Sequence, residues 1–494
     1  MTTIPEQGNR DLRRYTDIAI KACLLLLAFA APLSIAATQT AWSLAIFFWL
    51  IRLVFVRPRF KRPDMLELAL LAFLGLTVLS SICSYVPDIS IRKLVPVSLV
   101  TIAYLVAQQA KDVKFRRKAL AVLLIGAFVS VVGTLAFLAI GQNLKVVAMT
   151  PENPLRTVGV IEGDTLWRID GHGINSPADL KAVEERHPNG AVVEMTFYRH
   201  ELVMTGDLVV PPAAQRGEGL GLGVTEWQRG RDTRASGFYG HYVTYAEMLQ
   251  LVMSLALGLL LTVPGGWFTR ERVLLGVAVA GYGLAMFLTI TRASWAGLLV
   301  SAGIMVLVGT SRKTILICLA LAIPLAIGGL IYLQQKRNVS LVDSTDGSTQ
   351  WRLIVWREGW GVLTSNPRHL AVGVGMDSIK TKWPDWHMFG NGTMPLGHLH
   401  SDYLEIAFER GVPALIAWIA WLAIYLVMLW RGFRGGNFAW PERGILLGAF
   451  GGTIGFLSSG LVHYNWGDSE DAMIFYLIMG LALGTLRGQQ TPVE

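Results

Sequence analysis

One stretch of this chain gathers more reactive side chains than any other: Gly397 to Gly411, reading GHLHSDYLEIAFERG. His398, His400, Asp402, Glu405, Glu409 and Arg410 crowd into a length of about four helical turns. Histidine is the side chain that exchanges protons near neutral pH, so His400 or His398 is suited to act on a hydroxyl group. If the stretch is helical, His398, Asp402 and Glu405 fall near one face and His400 begins a neighbouring row. The same His398, His400 and Asp402 have the chemistry of zinc ligands, but side chains two residues apart diverge on a helix, so no metal is expected unless that loop is extended. The bland alternative is a solvated loop end with a chance cluster of polar residues.

Three arginines widen the constellation. Arg234 and His241 stand in RASGFYGHYVTYAE, Arg292 in TRASWAG, and Arg352 near the start of a stretch in which Trp351, Val355, Trp356, Gly359 and Trp360 recur at helical spacing. That spacing predicts an amphipathic helix at a membrane surface. A guanidinium matches phosphate oxygens in a bidentate fork and keeps its charge at any relevant pH. Arginines that hold a pyrophosphate, with a histidine that deprotonates an acceptor hydroxyl, suit the transfer of a glycan from a lipid pyrophosphate. Side chains that merely snorkel to the interface are the alternative for each arginine.

The elements that must position these residues are membrane spans. The chain has 494 residues, 53% hydrophobic and 16% charged, with mean hydropathy +0.47, too apolar for a soluble protein. Runs of about 17–25 apolar residues predict twelve spans: 17–38, 40–56, 65–84, 92–109, 118–140, 243–263, 272–290, 294–310, 314–333, 412–430, 444–463 and 470–486. The first is read as a retained anchor rather than a cleaved leader. Basic clusters mark alternate connections: Arg52 to Arg62, Lys111 to Lys118, Arg270 with Arg272, Arg312 with Lys313, and Arg431 to Arg443. By the positive-inside rule both termini face the cytoplasm, and two long insertions, about 141–242 and 334–411, face the other side. The net charge of +8 is spread over these loops, so no nucleic acid is expected. Cys23, Cys83 and Cys318 lie in or beside spans and imply no disulfide framework.

Within the first insertion, strands are expected near Thr165–Ile169, Ala191–Arg199 and Leu202–Val210, and a helix at Ala178–Arg186 opened by Ser176-Pro177. Glu162-Gly163-Asp164, Ile169-Asp170-Gly171, Asn175 to Leu180 and His187-Pro188-Asn189-Gly190 resemble a bacterial PDZ domain. The resemblance implies a small α+β periplasmic domain over 141–225 that captures a peptide or protein partner by strand addition. The strand that should precede the domain is replaced by a membrane span. Gly219-Leu220-Gly221-Leu222-Gly223-Val224 is read as a flexible linker, with a permuted strand as the alternative.

A second resemblance runs from about Arg234 to the end. Arg234 with Gly237 and His241, the Thr291-Arg292-Ala293-Ser294 turn, Arg352 with Trp356, Asn366-Pro367 to Gly373-Val374-Gly375, and His400-Ser401-Asp402-Tyr403-Leu404-Glu405 with Gly411 resemble the O-antigen ligase and polymerase superfamily. The resemblance implies an α-helical polytopic protein of about twelve transmembrane helices, of GT-C type, in a bacterial inner membrane. It implies an inverting transferase without metal or other cofactor, acting at the periplasmic face. The donor would be an undecaprenyl-pyrophosphate glycan and the acceptor a hydroxyl of lipid A-core or another glycolipid. His400 and Arg292 are the expected catalytic residues; Arg234, His241, Arg352, His398, Asp402 and Tyr403 are expected to bind substrate. The implied organisation is helices 1–5 over 1–140, the inserted domain over 141–225, helices 6–9 over 226–333, a catalytic loop over 334–411, and helices 10–12 over 412–494. A membrane protease is disfavoured because no His-Glu-x-x-His pair exists. A non-enzymatic lipid-glycan transporter would carry its charges at mid-membrane depth rather than at one face.

Overall fold

The computed structural model describes residues 6–56, 62–187, 190–199, 202–212, 220–230, 234–266, 268–309, 328 and 347–489, with backbone alone at 6–10, 56 and 202. Two compact units emerge: residues 1–130 with 237–494, and residues 131–236.

The larger unit is a helical bundle. Its helices are α1 (Glu6–Ala30), α2 (Ile35–Val56), α3 (Met65–Ile82), the broken α4 (Pro87–Gln109) and α5 (Val113–Ile140), the last running into the second unit. After the insertion come α7 (Tyr242–Thr262), α8 (Arg270–Thr289), α9 (Arg292–Gly309) and α10 (Gly347–Thr364). A short α11 (Pro367–Val372), α12 (Asp402–Arg410), α13 (Val412–Gly435), α14 (Glu442–Ser459) and α15 (Ser469–Gly488) complete it.

Nine helices among the described residues are long and apolar enough to cross a membrane, against the twelve spans expected. The expected span at 314–333 lies outside the described residues. The other two fall on α1 and α14, which are helical but not among the nine. The first break falls at Ala31–Ser34 rather than near residue 39, because α1 begins at Glu6 and ends before Pro32. Glycines explain α14: Gly444, Gly448, Gly451, Gly452 and Gly455 lower its hydropathy and let neighbours approach. A Cβ on Gly258 of α7 would stand 2.3 Å from the Gly448 nitrogen, and one on Gly297 of α9 would stand 2.7 Å from the Gly455 carbonyl oxygen. Small residues at such crossings are how membrane helices pack closely.

Residues 347–411 carry more helix than the sequence suggested. The α10 helix buries Val355, Gly359, Val362 and Leu363, joined in one core by Phe389, Leu399 and Phe408, while Trp360 of the expected amphipathic stripe is 59% exposed.

The smaller unit is built on a six-stranded antiparallel sheet, with a four-residue helix at Pro154–Thr157 and a longer helix. Its strands are β1 (Leu144–Met149), β2 (Thr165–Ile169), β3 (His172–Gly173), β4 (Val192–Arg199), β5 (Leu202–Val209) and β6 (Val224–Arg229), in the order β5-β4-β2-β1-β6 with β3 against β2. The helix α6 (Pro177–Arg186) starts at a Ser176–Asp179 capping box with Pro177 in the first turn. Leu144, Leu166, Leu180, Phe197 and Val224 share its core. Three strands and the helix fall where expected, but the linker reading of the glycine run is overturned for the residues described. Leu220–Gly223 form a turn against α6, where the Leu222 amide donates to Glu184 Oε1 at 2.6 Å, and β6 follows at once. A boundary at residue 225 therefore cuts β6.

Candidate active site

Helix ends converge at one end of the bundle: the start of α7, the α8–α9 turn, the α12–α13 junction and the α14–α15 turn. Among the described residues the basic connections occupy the opposite helix ends, where Arg116 and Arg117 pair with Glu442 at the start of α14, at 3.0 and 3.1 Å.

Gly397–Ser401 is not helical; α12 begins at Asp402, with Ser401 as N-cap. His400 adopts a left-handed backbone (φ 48°), which a non-glycine residue holds only when its surroundings fix it. The surroundings are evident. The Leu399 amide donates to Glu405, the Trp356 indole donates to the Leu399 carbonyl at 2.6 Å, and the His400 amide donates to His398 Nδ1 at 3.2 Å. The conditional helix from residue 398 onward gives way to this non-helical segment, which brings the two imidazoles together with ring centres 4.0 Å apart and planes tilted by 47°. Trp351 closes on His400 edge-on at 4.8 Å, and Tyr464 lies 5.2 Å from His398.

Both histidines are held neutral. Burial lowers His398 to about 4, with the Lys380 charge adding to it. Burial lowers His400 to about 2, assisted by the neighbouring His398 and by the Arg352 charge. Because His398 Nδ1 accepts an amide hydrogen, its neutral ring carries the proton on Nε2 and is a donor there. His400 carries no such constraint and is the ring left to accept a proton.

Arg352 is half-buried on α10 and donates to Ser348 Oγ at 2.9 Å. Arg292 is the first residue of α9, after a turn in which Ile290 is left-handed (φ 52°), so packing of two spans fixes its position as the sequence implied. His241 caps α7, with Nδ1 2.9 Å from Thr244 Oγ1, which donates to Asp468 at 2.9 Å. Arg234 is half-buried within the smaller unit.

Asp402 and Tyr403, expected to bind substrate, turn inward. The Asp402 amide donates to the carbonyls of Gly460 (2.8 Å) and His463 (3.0 Å), and its Oδ1 accepts from the Trp466 amide at 3.0 Å. Burial pushes its carboxyl well above the carboxylate range. Tyr403 donates to the Leu457 carbonyl at 3.1 Å. Asp402 fastens α12 to the α14–α15 turn and Tyr403 fastens it to the last turns of α14; the α14–α15 turn is itself anchored by Trp466 edge-on to Trp418 and Trp421. Among the described residues no three His, Cys, Asp or Glu side chains converge as metal ligands.

Beneath the histidines lies a network that sequence reasoning missed. Glu247 of α7, wholly buried, bonds His463 Nδ1 at 2.8 Å and accepts from Ser294 (2.8 Å), Ser459 (2.8 Å) and Asn465 (3.3 Å). It ties α9, two residues past Arg292, to the α14–α15 turn. A carboxylate inside an otherwise apolar span was the available signal.

A cleft of about 190 Å³ adjoins the site. His398, Tyr464, Asp468, Lys93, Lys380 and Arg410 line its polar end, and Leu70, Phe73, Val97 and Trp421 its apolar walls. His398 borders it, and His400 stands one ring behind.

The fold and site define a polytopic membrane protein with histidines and arginines gathered at one end of its bundle. Residues 274–419 match the family model described as O-antigen ligase, which supports the O-antigen ligase and polymerase superfamily and an activity of that type. The matched segment includes Arg292, Arg352, His398 and His400, whereas Glu247 and His463 fall outside it. No curated protein matches the chain.

Proposed function

We propose that the protein transfers a glycan from a polyprenyl-pyrophosphate donor to an acceptor hydroxyl, at the periplasmic face of a bacterial inner membrane. The observation that carries this reading is the neutral His398–His400 pair bordering a cleft polar at one end and apolar along its walls. His400 takes the hydroxyl proton, the acceptor oxygen attacks the anomeric carbon, and the bond from that carbon to pyrophosphate breaks with inversion. Arg292 and Arg352 hold the departing pyrophosphate, and His398 Nε2–H donates to an oxygen in the cleft.

Burial, then His398 and Arg352, hold His400 low, and an anionic donor bound beside it raises its affinity for the hydroxyl proton. No metal or other cofactor enters this reaction. The acceptor is lipid A-core or another hydroxyl-bearing glycolipid, and transfer onto a second lipid-linked glycan is the polymerase form of the same step. The smaller unit, by its PDZ resemblance, is a docking module for a peptide or protein partner.

The test is single-turnover transfer from a purified lipid-pyrophosphate glycan with acceptors added one at a time. His400→Ala should retain donor binding while transfer falls by roughly 10²–10⁴-fold. Transfer at the parent rate would remove His400 from the mechanism.

A further inference from the structure

Three consecutive residues hold a backbone conformation that L-amino acids avoid. Phe389, Gly390 and Asn391 are all left-handed, with φ 57°, 59° and 58° and ψ 45°, 37° and 38°. Glycine adopts it readily, but a bulky residue such as Phe389 keeps it only where the surroundings impose it. The imposing group is one that the proposed transfer leaves unused. Glu358 of α10 accepts the Phe389 amide at 2.7 Å on one carboxylate oxygen and the Gly390 amide at 3.1 Å on the other. Hydrogen bonds to a carboxylate are among the strong ones. The Met394 amide closes the turn by donating to the Phe389 carbonyl at 3.1 Å.

The turn delivers one side chain inward. Phe389 is fully buried, in a core with Val355, Leu399 and Phe408. Its ring centre lies 6.1 Å from that of Trp351, and Trp351 meets His400 edge-on at 4.8 Å. Trp351 and Glu358 stand about two turns apart on one face of α10, so a single helix grips the turn at both its amides and its ring. His398 and Trp351 between them cover the His400 ring. Burial is the first cause that keeps this ring neutral, so what covers it matters as much as which charges stand near it.

We propose that Glu358 is a positioning residue for His400: it holds residues 389–391 left-handed, the turn seats Phe389 on Trp351, and Trp351 keeps the imidazole buried in one orientation. Without the carboxylate the turn relaxes toward the right-handed backbone, Phe389 withdraws, Trp351 gains freedom and water reaches the ring. That His400 is the base rests on the proposed transfer; the seating of its ring does not.

The experiment follows His400 by NMR in the full-length protein in detergent, with isotope-labelled histidine and the signal assigned by its loss in His400→Gln. In the parent that signal should not titrate between about pH 7.5 and 5. In Glu358→Ala it should begin to, its pKa climbing toward about 6.5 as water reaches the ring. Single-turnover transfer should fall roughly ten- to a hundredfold, the cost of a misplaced reacting group, while donor Kd stays near that of the parent. Glu358→Gln keeps an oxygen for one of the two amides and should lie between. Should Glu358→Ala fail to fold, two variants of the exposed Asn391 replace it. Asn391→Val, whose branched side chain resists the left-handed turn, should shift the titration upward relative to Asn391→Gly, which accepts that turn. An unchanged titration in folded Glu358→Ala, or identical titrations in the two Asn391 variants, would overturn the positioning role, whatever happens to transfer. A parent that transfers no glycan still reports the titration, so failure of the transfer reading and failure of this one are told apart.

Discussion

Two pairs built on histidine occupy the same end of the bundle and use the residue in opposite ways. His463 is buried against the Glu247 carboxylate, inside a ring of serine and asparagine donors that joins α7, α9 and the α14–α15 turn. His398 and His400 face each other without a carboxylate, beside Arg352, on a segment held left-handed at His400. A histidine bonded to a buried acid is fixed and braces the fold. A neutral histidine among cations is held away from its charged form until an anion arrives. The partner, not the residue type, separates bracing from chemistry.

Exchanging the roles breaks the comparison most strongly. His400→Ala should cost roughly 10²–10⁴-fold in transfer while unfolding in detergent stays close to the parent. A large fall in melting temperature would mean that the pair on the cleft is also a brace.

The complementary change is Glu247→Ala. It leaves His463, Ser294, Ser459 and Asn465 without their shared acceptor and should destabilise by about 3–5 kcal/mol, the range for removing one member of a buried pair. Thermal unfolding and the yield of folded protein measure it. A stable, fully folded Glu247→Ala protein would show that the network is not structural.

Acidification sharpens the contrast. The unfolded chain protonates histidine near 6.5, whereas the folded protein keeps His398 neutral to about 4 and His400 to about 2. Between those values the unfolded state binds more protons, so stability from this pair falls as pH drops below about 6.5. A His398→Gln/His400→Gln protein lacks that penalty, while the raised carboxyls of Asp402, Glu405 and Glu409 act alike in both. The variant should gain roughly 2–4 °C on the parent between pH 7.5 and 5. Parallel melting curves would show that the rings are not held neutral.

The smallest effect on chemistry is expected from excising the smaller unit. The Gly230 amide donates to the Asn143 carbonyl at 3.1 Å, so the two ends of the insertion lie together and a short link can replace 142–230. That protein should keep measurable transfer. A stably inserted but wholly inactive product would make the insertion part of the site.

The membrane character, the tight turn that presents Arg292 and the Ser176-Pro177 helix start followed from local composition and periodicity alone. Those features depend on neighbours in the chain, which hydropathy and capping chemistry report directly. Gly397–Ser401 escaped because its backbone is set by Glu405, Trp356 and the α14–α15 turn, none of which a helical reading of GHLHSDYLE includes. The strand β1 was hidden beside the apolar end of α5, and β6 behind a glycine run that reads as flexible until its contact with α6 is seen.

What the sequence determined by itself was the inventory: apolar spans, alternating basic loops, and histidines and arginines outside the spans. What only the tertiary structure decided was which helix ends meet. Glu247 and His463 are 216 residues apart, and Ser80 of α3 donates to the Glu409 carbonyl across 329. Hydrophobic periodicity tells each helix which medium to enter, but the packing of glycine surfaces and the pairing of buried donors choose its neighbours. The cleft and the histidine pair beside it are consequences of that choice.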